Sequence, residues 1–141
     1  DYLDKDDDND GLLDLVSGDF WYENNGQKAN NFRKRHLIGN QKRHFEYYDD
    51  FSTIPFDVNQ DGYMDFITGG WFEATLRWHE NPGKEKDKLW IRHEVINTGN
   101  IECTRGFDID GDGVLEIIPN NPNKPLKYFK IENGEIKEIL P

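Results

Sequence analysis

The strongest constraint on this chain is an acidic nine-residue string that returns three times. It reads Asp6-Asp7-Asp8-Asn9-Asp10-Gly11-Leu12-Leu13-Asp14, then "DVNQDGYMD" at 57–65, then "DIDGDGVLE" at 108–116. The first aspartates stand at 6, 57 and 108, a period of 51 residues. Self-similarity at such a period marks a repeat architecture, in which each unit buries its apolar face against its neighbours.

Other strings repeat with it. "WYENNG" at 21–26 answers "WHENPG" at 78–83, a fainter "IENG" sits at 131–134, and "KRHLI" at 34–38 answers "IRHEVI" at 91–96. The Trp and Arg-His strings recur at 57 residues, so compensating insertions restore the acidic spacing. We therefore divide the chain into units of approximately 1–50, 51–101 and 102–141.

Each unit reads as four short strands. After each acidic string comes an apolar run split by one acid, as in Tyr63-Met64-Asp65-Phe66-Ile67, the pattern of a strand buried on both faces. A second strand ends in Trp-X-Glu-Asn with its turn, a third carries Arg-His, and a fourth (Ser52 to Phe56, Cys103 to Phe107) runs into the next acidic string. No segment keeps a 3.6-residue period, so almost no helix is expected. The fold class is all-β: about three four-stranded antiparallel β-propeller blades. Propellers close with about four to eight blades, so the chain is expected to be a partial propeller completed by further blades.

The acids need a reason to share a turn. In D-x-[DN]-x-[DN]-G-x-x-[DE], side chains one, three and five point into one tight turn. Position seven offers a carbonyl and position nine another carboxylate. These hard oxygens suit Ca²⁺, which takes six to eight of them, and Gly at position six permits the turn. An EF-hand needs a Glu at position twelve and flanking helices. Here position twelve is Ser17, Thr68 or Pro119, and the flanks are strands. The loops differ: the second has Asn59, the third ends in Glu116, and the first has a surplus Asp7 that leaves its register open.

With this pattern the chain resembles the FG-GAP/VCBS repeat family, the integrin-type calcium-binding β-propellers, and is closer to the bacterial VCBS-like branch. The resemblance rests on "DVNQDGYMDFITGG", "WHENPG" and "DIDGDGVLEII" and covers essentially the whole chain. It implies a seven- or eight-bladed parent, usually outside the cytoplasm: extracellular, at the cell surface or periplasmic. It implies up to three Ca²⁺. One is held by Asp57, Asn59, Asp61, the Tyr63 carbonyl and Asp65. By the same positions another is held by Asp6, Asp8, Asp10, Leu12 and Asp14, and a third by Asp108, Asp110, Asp112, Val114 and Glu116.

Charge narrows the partners. The chain has 28 Asp+Glu against 17 Lys+Arg, a formal net charge of −11. That argues against nucleic acid, whose phosphates need a basic face, and against anionic membrane surfaces. No apolar run approaches the roughly 18 residues of a spanning helix. Cys103 is the single cysteine, read as a buried hydrophobe with no internal disulfide. The N-terminus shows no signal pattern, so any targeting signal is expected outside this chain.

In an up-and-down blade, successive turns alternate between two ends. The length-variable segments Gly39 to Asp50, Gly69 to Thr75 and Pro119 to Pro125 should therefore share the face opposite the acidic loops. That face carries Arg43, His44, Phe45, Tyr47, Tyr48, Asp49, Trp71 and Phe72 and suits stacking on carbohydrate, or a protein partner. His36 and His93 occupy equivalent positions and His79 matches Tyr22, which favours scaffold roles. His44, with Glu46 and Asp49 nearby, is the one histidine that merits a catalytic test. The expected function is a noncatalytic calcium-binding module for binding, adhesion or scaffolding. The alternative is part of a propeller glycoside hydrolase or polysaccharide lyase.

Overall fold

The computed structural model describes residues 3–26, 32–39, 42–122 and 124–139. Among them there is no helix, and hence none long and apolar enough to cross a membrane. The first sheet contains β1 (Leu3–Lys5), β2 (Asp14–Ser17), β3 (Phe20–Glu23) and β4 (Lys34–Leu37). A hairpin of β5 (Arg43–His44) and β6 (Tyr47–Tyr48) follows. The second sheet contains β7 (Thr53–Phe56), β8 (Asp65–Gly69), β9 (Thr75–Glu80) and β10 (Ile91–Asn97). The third contains β11 (Cys103–Phe107), β12 (Glu116–Asn120), β13 (Tyr128–Glu132) and β14 (Glu135–Ile139). Each of these three sheets is an antiparallel meander in chain order, the arrangement expected of partial propeller blades.

Three details differ from the sequence reading. The strand that runs into each acidic loop is the first strand of the sheet that the loop continues. Phe56 pairs with Asp65 and Phe107 with Glu116 across their own loops. The 39–50 segment, expected as a loop, contains the β5–β6 hairpin; within it Asn40 and Gln41 lie outside the described residues, as does Asn123 in the 119–125 segment. Finally, the apolar pattern predicts a strand buried on both faces after each acidic loop. Only β8 is buried throughout; β2 and β12 keep partly exposed positions. The reason is position: the second sheet is flanked on both sides, the other two on one.

The core lies between the sheets. Val16, Trp21, Ile38, Phe66 and Trp90 join the first sheet to the second, with Phe66 and Trp90 stacked at 5.0 Å. Val58, Ile67, Leu76, Trp78, Ile101, Ile117, Phe129 and Ile131 join the second to the third. Each fully buried large side chain of this kind contributes about 1.5–3 kcal/mol. These two seams fix the sheets face to face and bring equivalent loops to one end.

Candidate metal centre

The three acidic loops fold by one hydrogen-bond scheme. In the first, the Asp10 N–H donates to Asp6 Oδ1 (3.0 Å) and Asp8 Oδ1 (3.1 Å), the Gly11 N–H to Asp6 Oδ2 (2.8 Å), and the Leu12 N–H to Asp10 Oδ1 (2.8 Å). The second repeats it. The Asp61 N–H meets Asp57 Oδ1 (3.0 Å) and Asn59 Oδ1 (3.1 Å), the Gly62 N–H meets Asp57 Oδ2 (2.8 Å), and the Tyr63 N–H meets Asp61 Oδ1 (2.9 Å). In the third, Gly113 donates to Asp108 Oδ2 (2.9 Å), Asp112 to Asp110 Oδ1 (3.2 Å) and Val114 to Asp112 Oδ1 (2.9 Å), while Gly111 takes the Asp108 Oδ1 bond (2.7 Å). This fixes the register that the sequence left open: Asp6 is position one of the first loop. Gly11, Gly62 and Gly113 at position six have φ of +88°, +91° and +87°, values that cost other residues a Cβ clash.

Position nine is the buried foot of each loop. Asp65 Oδ2 accepts the Val58 N–H and its Oδ1 accepts the Asn81 N–H, both at 2.9 Å. Asp14 does the same with Asp7 (2.9 Å) and Asn24 (2.8 Å). Burial pushes both carboxyls up to about 6; the backbone bonds oppose it and the neighbouring loop aspartates add to it. Asn24 and Asn81 belong to the Trp-X-Glu-Asn turns, so that motif closes onto the acidic loop. Its Glu is held as well: His36 meets Glu23 at 2.8 Å and stacks on Trp21, and His93 meets Glu80 at 2.6 Å and stacks on Trp78. The scaffold reading of His36 and His93 fits these contacts, and His79 is buried.

Ligand atoms of Asp6, Asp8 and Asp10 lie within 4.8 Å of one another, as do those of Asp108, Asp110 and Glu116. Like unit charges about 4 Å apart repel by roughly 1 kcal/mol in bulk water and about 4 at a partly buried surface. In the first loop a hard divalent cation would relieve that repulsion, so its donor chemistry fits calcium. In the second loop the shared Asp61 N–H gathers Asp57 and Asn59, and Asn59 Nδ2 reaches toward Glu80 Oε1 at 3.4 Å. Leu12, Tyr63 and Val114 contribute the N–H bonds given above; their carbonyls as ligands belong to the proposal below.

Sequence reasoning missed the residues around the loops. Lys86 contacts Asp8 and lies 3.3 Å from Glu23. Lys130 Nζ lies 2.6 Å from Asp110 Oδ2, 2.6 Å from Asp112 Oδ2 and 3.1 Å from Glu116 Oε1. The "IENG" string misleads here. Register pairs Glu116 with Lys130, while Leu15 pairs with Tyr22 and Phe66 with His79. Lys130, not Glu132, therefore holds the place of Glu23 and Glu80. Asp7 stands where the second loop has Val58. It is buried between sheets, neither carboxylate oxygen has a hydrogen-bond partner among the described residues, and burial together with Asp14, Asp6 and Asp8 pushes its carboxyl up to about 8.

The opposite end gathers the other predicted residues. His44 stacks on Phe72 at 4.2 Å, and Arg43 lies 4.8 Å over Tyr48. Tyr47, Phe51, Trp71, Phe72 and Glu102 line a cleft of about 250 Å³. Asp49 is not in it: it is fully buried, accepts the N–H groups of Phe72 (2.8 Å) and Glu73 (2.9 Å), and pairs with Arg77 at 3.7 Å. Gly70 makes room for that carboxylate, since a Cβ there would stand 2.3 Å from Asp49 Oδ2.

Stacked four-stranded meanders, each with an oxygen-rich loop between its first two strands, define the class: propeller-type repeats with candidate cation sites. Within it, residues 57–118 match an FG-GAP-like repeat, running from the first aspartate of the second loop through most of β12. No curated protein and no solved structure matches the chain.

Proposed function

We propose that this chain is a calcium-stabilised propeller module, noncatalytic, that serves binding, adhesion or scaffolding in a larger secreted or surface protein. The observation that carries the reading is the common loop scheme, which gathers side-chain oxygens at positions one, three and five and anchors the turn through position nine. Calcium there clamps the first hairpin of a blade. Free Ca²⁺ outside cells would keep the sites loaded, which favours an extracellular or periplasmic setting. Further blades of the parent would cover the outer sheets.

The face opposite the loops is the binding face in this reading, with carbohydrate stacking on Trp71, Phe72 and Tyr47 or a protein partner in its place. The aromatic cleft also supports the second reading, a carbohydrate-active propeller enzyme. Asp49 is spent on the 72–73 backbone and Arg77, which leaves His44 and Glu46 as the acid–base candidates on this chain.

Calorimetric titration of chelator-stripped protein with Ca²⁺, beside a thermal melt, tests the calcium reading. Uptake with a raised Tm is expected. Folded protein that takes up no calcium would overturn it.

A further inference from the structure

We infer that the third acidic loop does not take a divalent cation, because the ammonium of Lys130 already stands among its carboxylates. This rests on the calcium reading of the loops and divides it among them. An ammonium has three N–H donors and no acceptor. Lys130 Nζ has three carboxylate oxygens within reach, from loop positions three, five and nine: Asp110, Asp112 and Glu116. Those are three of the ligands a metal would need. The Asp110 contact is a hydrogen bond; Asp112 and the buried Glu116 Oε1 are engaged as ion pairs, so the ammonium balances their charge.

The other two loops are built the opposite way. The residue across from position nine is Glu23 or Glu80 there, so the cross-strand neighbour adds a negative charge. In the third sheet the same place carries a positive one. Lys86 is a different case. It reaches the first loop from the connection between β9 and β10, touches one of its acids, Asp8, and is shared with Glu23. It engages neither Asp6 nor Asp10. Lys130 comes from the adjacent strand of its own sheet, in register with Glu116, so its geometry is fixed by the ladder.

The test counts Ca²⁺ by calorimetry on the full chain and on two variants, Lys130→Glu and Lys130→Gln. Lys130→Glu restores the residue type of the other two sheets. Lys130→Gln removes the ammonium without adding charge, in case Lys130→Glu does not fold without metal. One ion more per chain in a folded variant than in the unaltered protein supports the inference. An unaltered protein that binds three ions, or a folded variant that binds no more than the unaltered protein, overturns it. If the unaltered protein binds none, the calcium reading of the first two loops fails. The inference is then still decided by whether the variant gains one.

Discussion

The backbone N–H of Asn81 donates to Asp65 Oδ1 at 2.9 Å, across 16 residues of chain. This bond joins the Trp-X-Glu-Asn turn to the acidic loop. Asn24 and Asp14 make the same bond in the first sheet. Two motifs that recur together in sequence thus do so because one holds the other.

Asp65 should therefore matter without metal. Asp65→Ala leaves the N–H groups of Val58 and Asn81 unpaired, at about 1–3 kcal/mol each. Denaturant melts in excess chelator should show that loss. Asp65→Asn, which keeps one acceptor, should lose less in chelator yet still weaken calcium binding. Equal stability of Asp65→Ala and the unaltered protein in chelator would refute the anchoring role.

Asp7 is a stability liability. Its equivalent Val58 is fully buried in the core. Asp7→Val should stabilise the metal-free protein by about 1–3 kcal/mol, the desolvation cost of an unpaired polar group. Unchanged or lower Tm would count against it.

Acidity and calcium should pull stability in opposite directions. Asp14 and Asp65 sit near 6 and Asp7 near 8, above the ordinary 3.8. Folding therefore favours their protonated forms, and their cost fades as pH falls from 8 to 4. His79, held down to about 4 by burial, costs stability as pH falls below 6.5 and offsets part of that gain. Glu23 runs the other way from the aspartates. Burial alone would raise it, but His36, Lys34 and Lys86 outweigh that and hold it near 2, so its contribution is lost as pH falls below 4.5. Metal-free protein should be most stable at mildly acidic pH, and calcium should move the optimum toward neutrality. Melts across pH 4–8, with calcium and with chelator, would show this as a crossing of the two curves.

On the opposite face, Asp49→Ala should cost about 1–3 kcal/mol for each of the Phe72 and Glu73 N–H groups it leaves unpaired, while Arg77 keeps Glu73 at 3.9 Å. It should also release the 70–73 turn, changing the near-ultraviolet signal of Trp71 and Phe72. Phe45→Ala, at a side chain that is 96% exposed, should leave stability within about 0.5 kcal/mol.

The acidic period, the all-β class and the two ends of the blades were legible because turns and strand patterns are local. Lys130 and Asp49 were not. Each acts on residues that only sheet register or a folded connection brings near. "IENG" even pointed to Glu132, since a repeat aligned by letters ignores that Asn133-Gly134 closes a tight hairpin where the other sheets have longer connections. Asp7 was visible as a surplus acid, yet its burial depended on a neighbouring sheet.

Ile109, at the position of Val58, is 61% exposed, and Phe107 is 56% exposed. The side of the second sheet that Val58 helps to fill is covered by the third, and the third presents the same side outward. The stack thus has a head and a tail that are not alike. Anything that covers Ile109 as the third sheet covers Val58 must arrive in the same orientation. Growth of such a stack is directional: it ends in a closed ring if the rotation per sheet allows it, and in a filament if it does not.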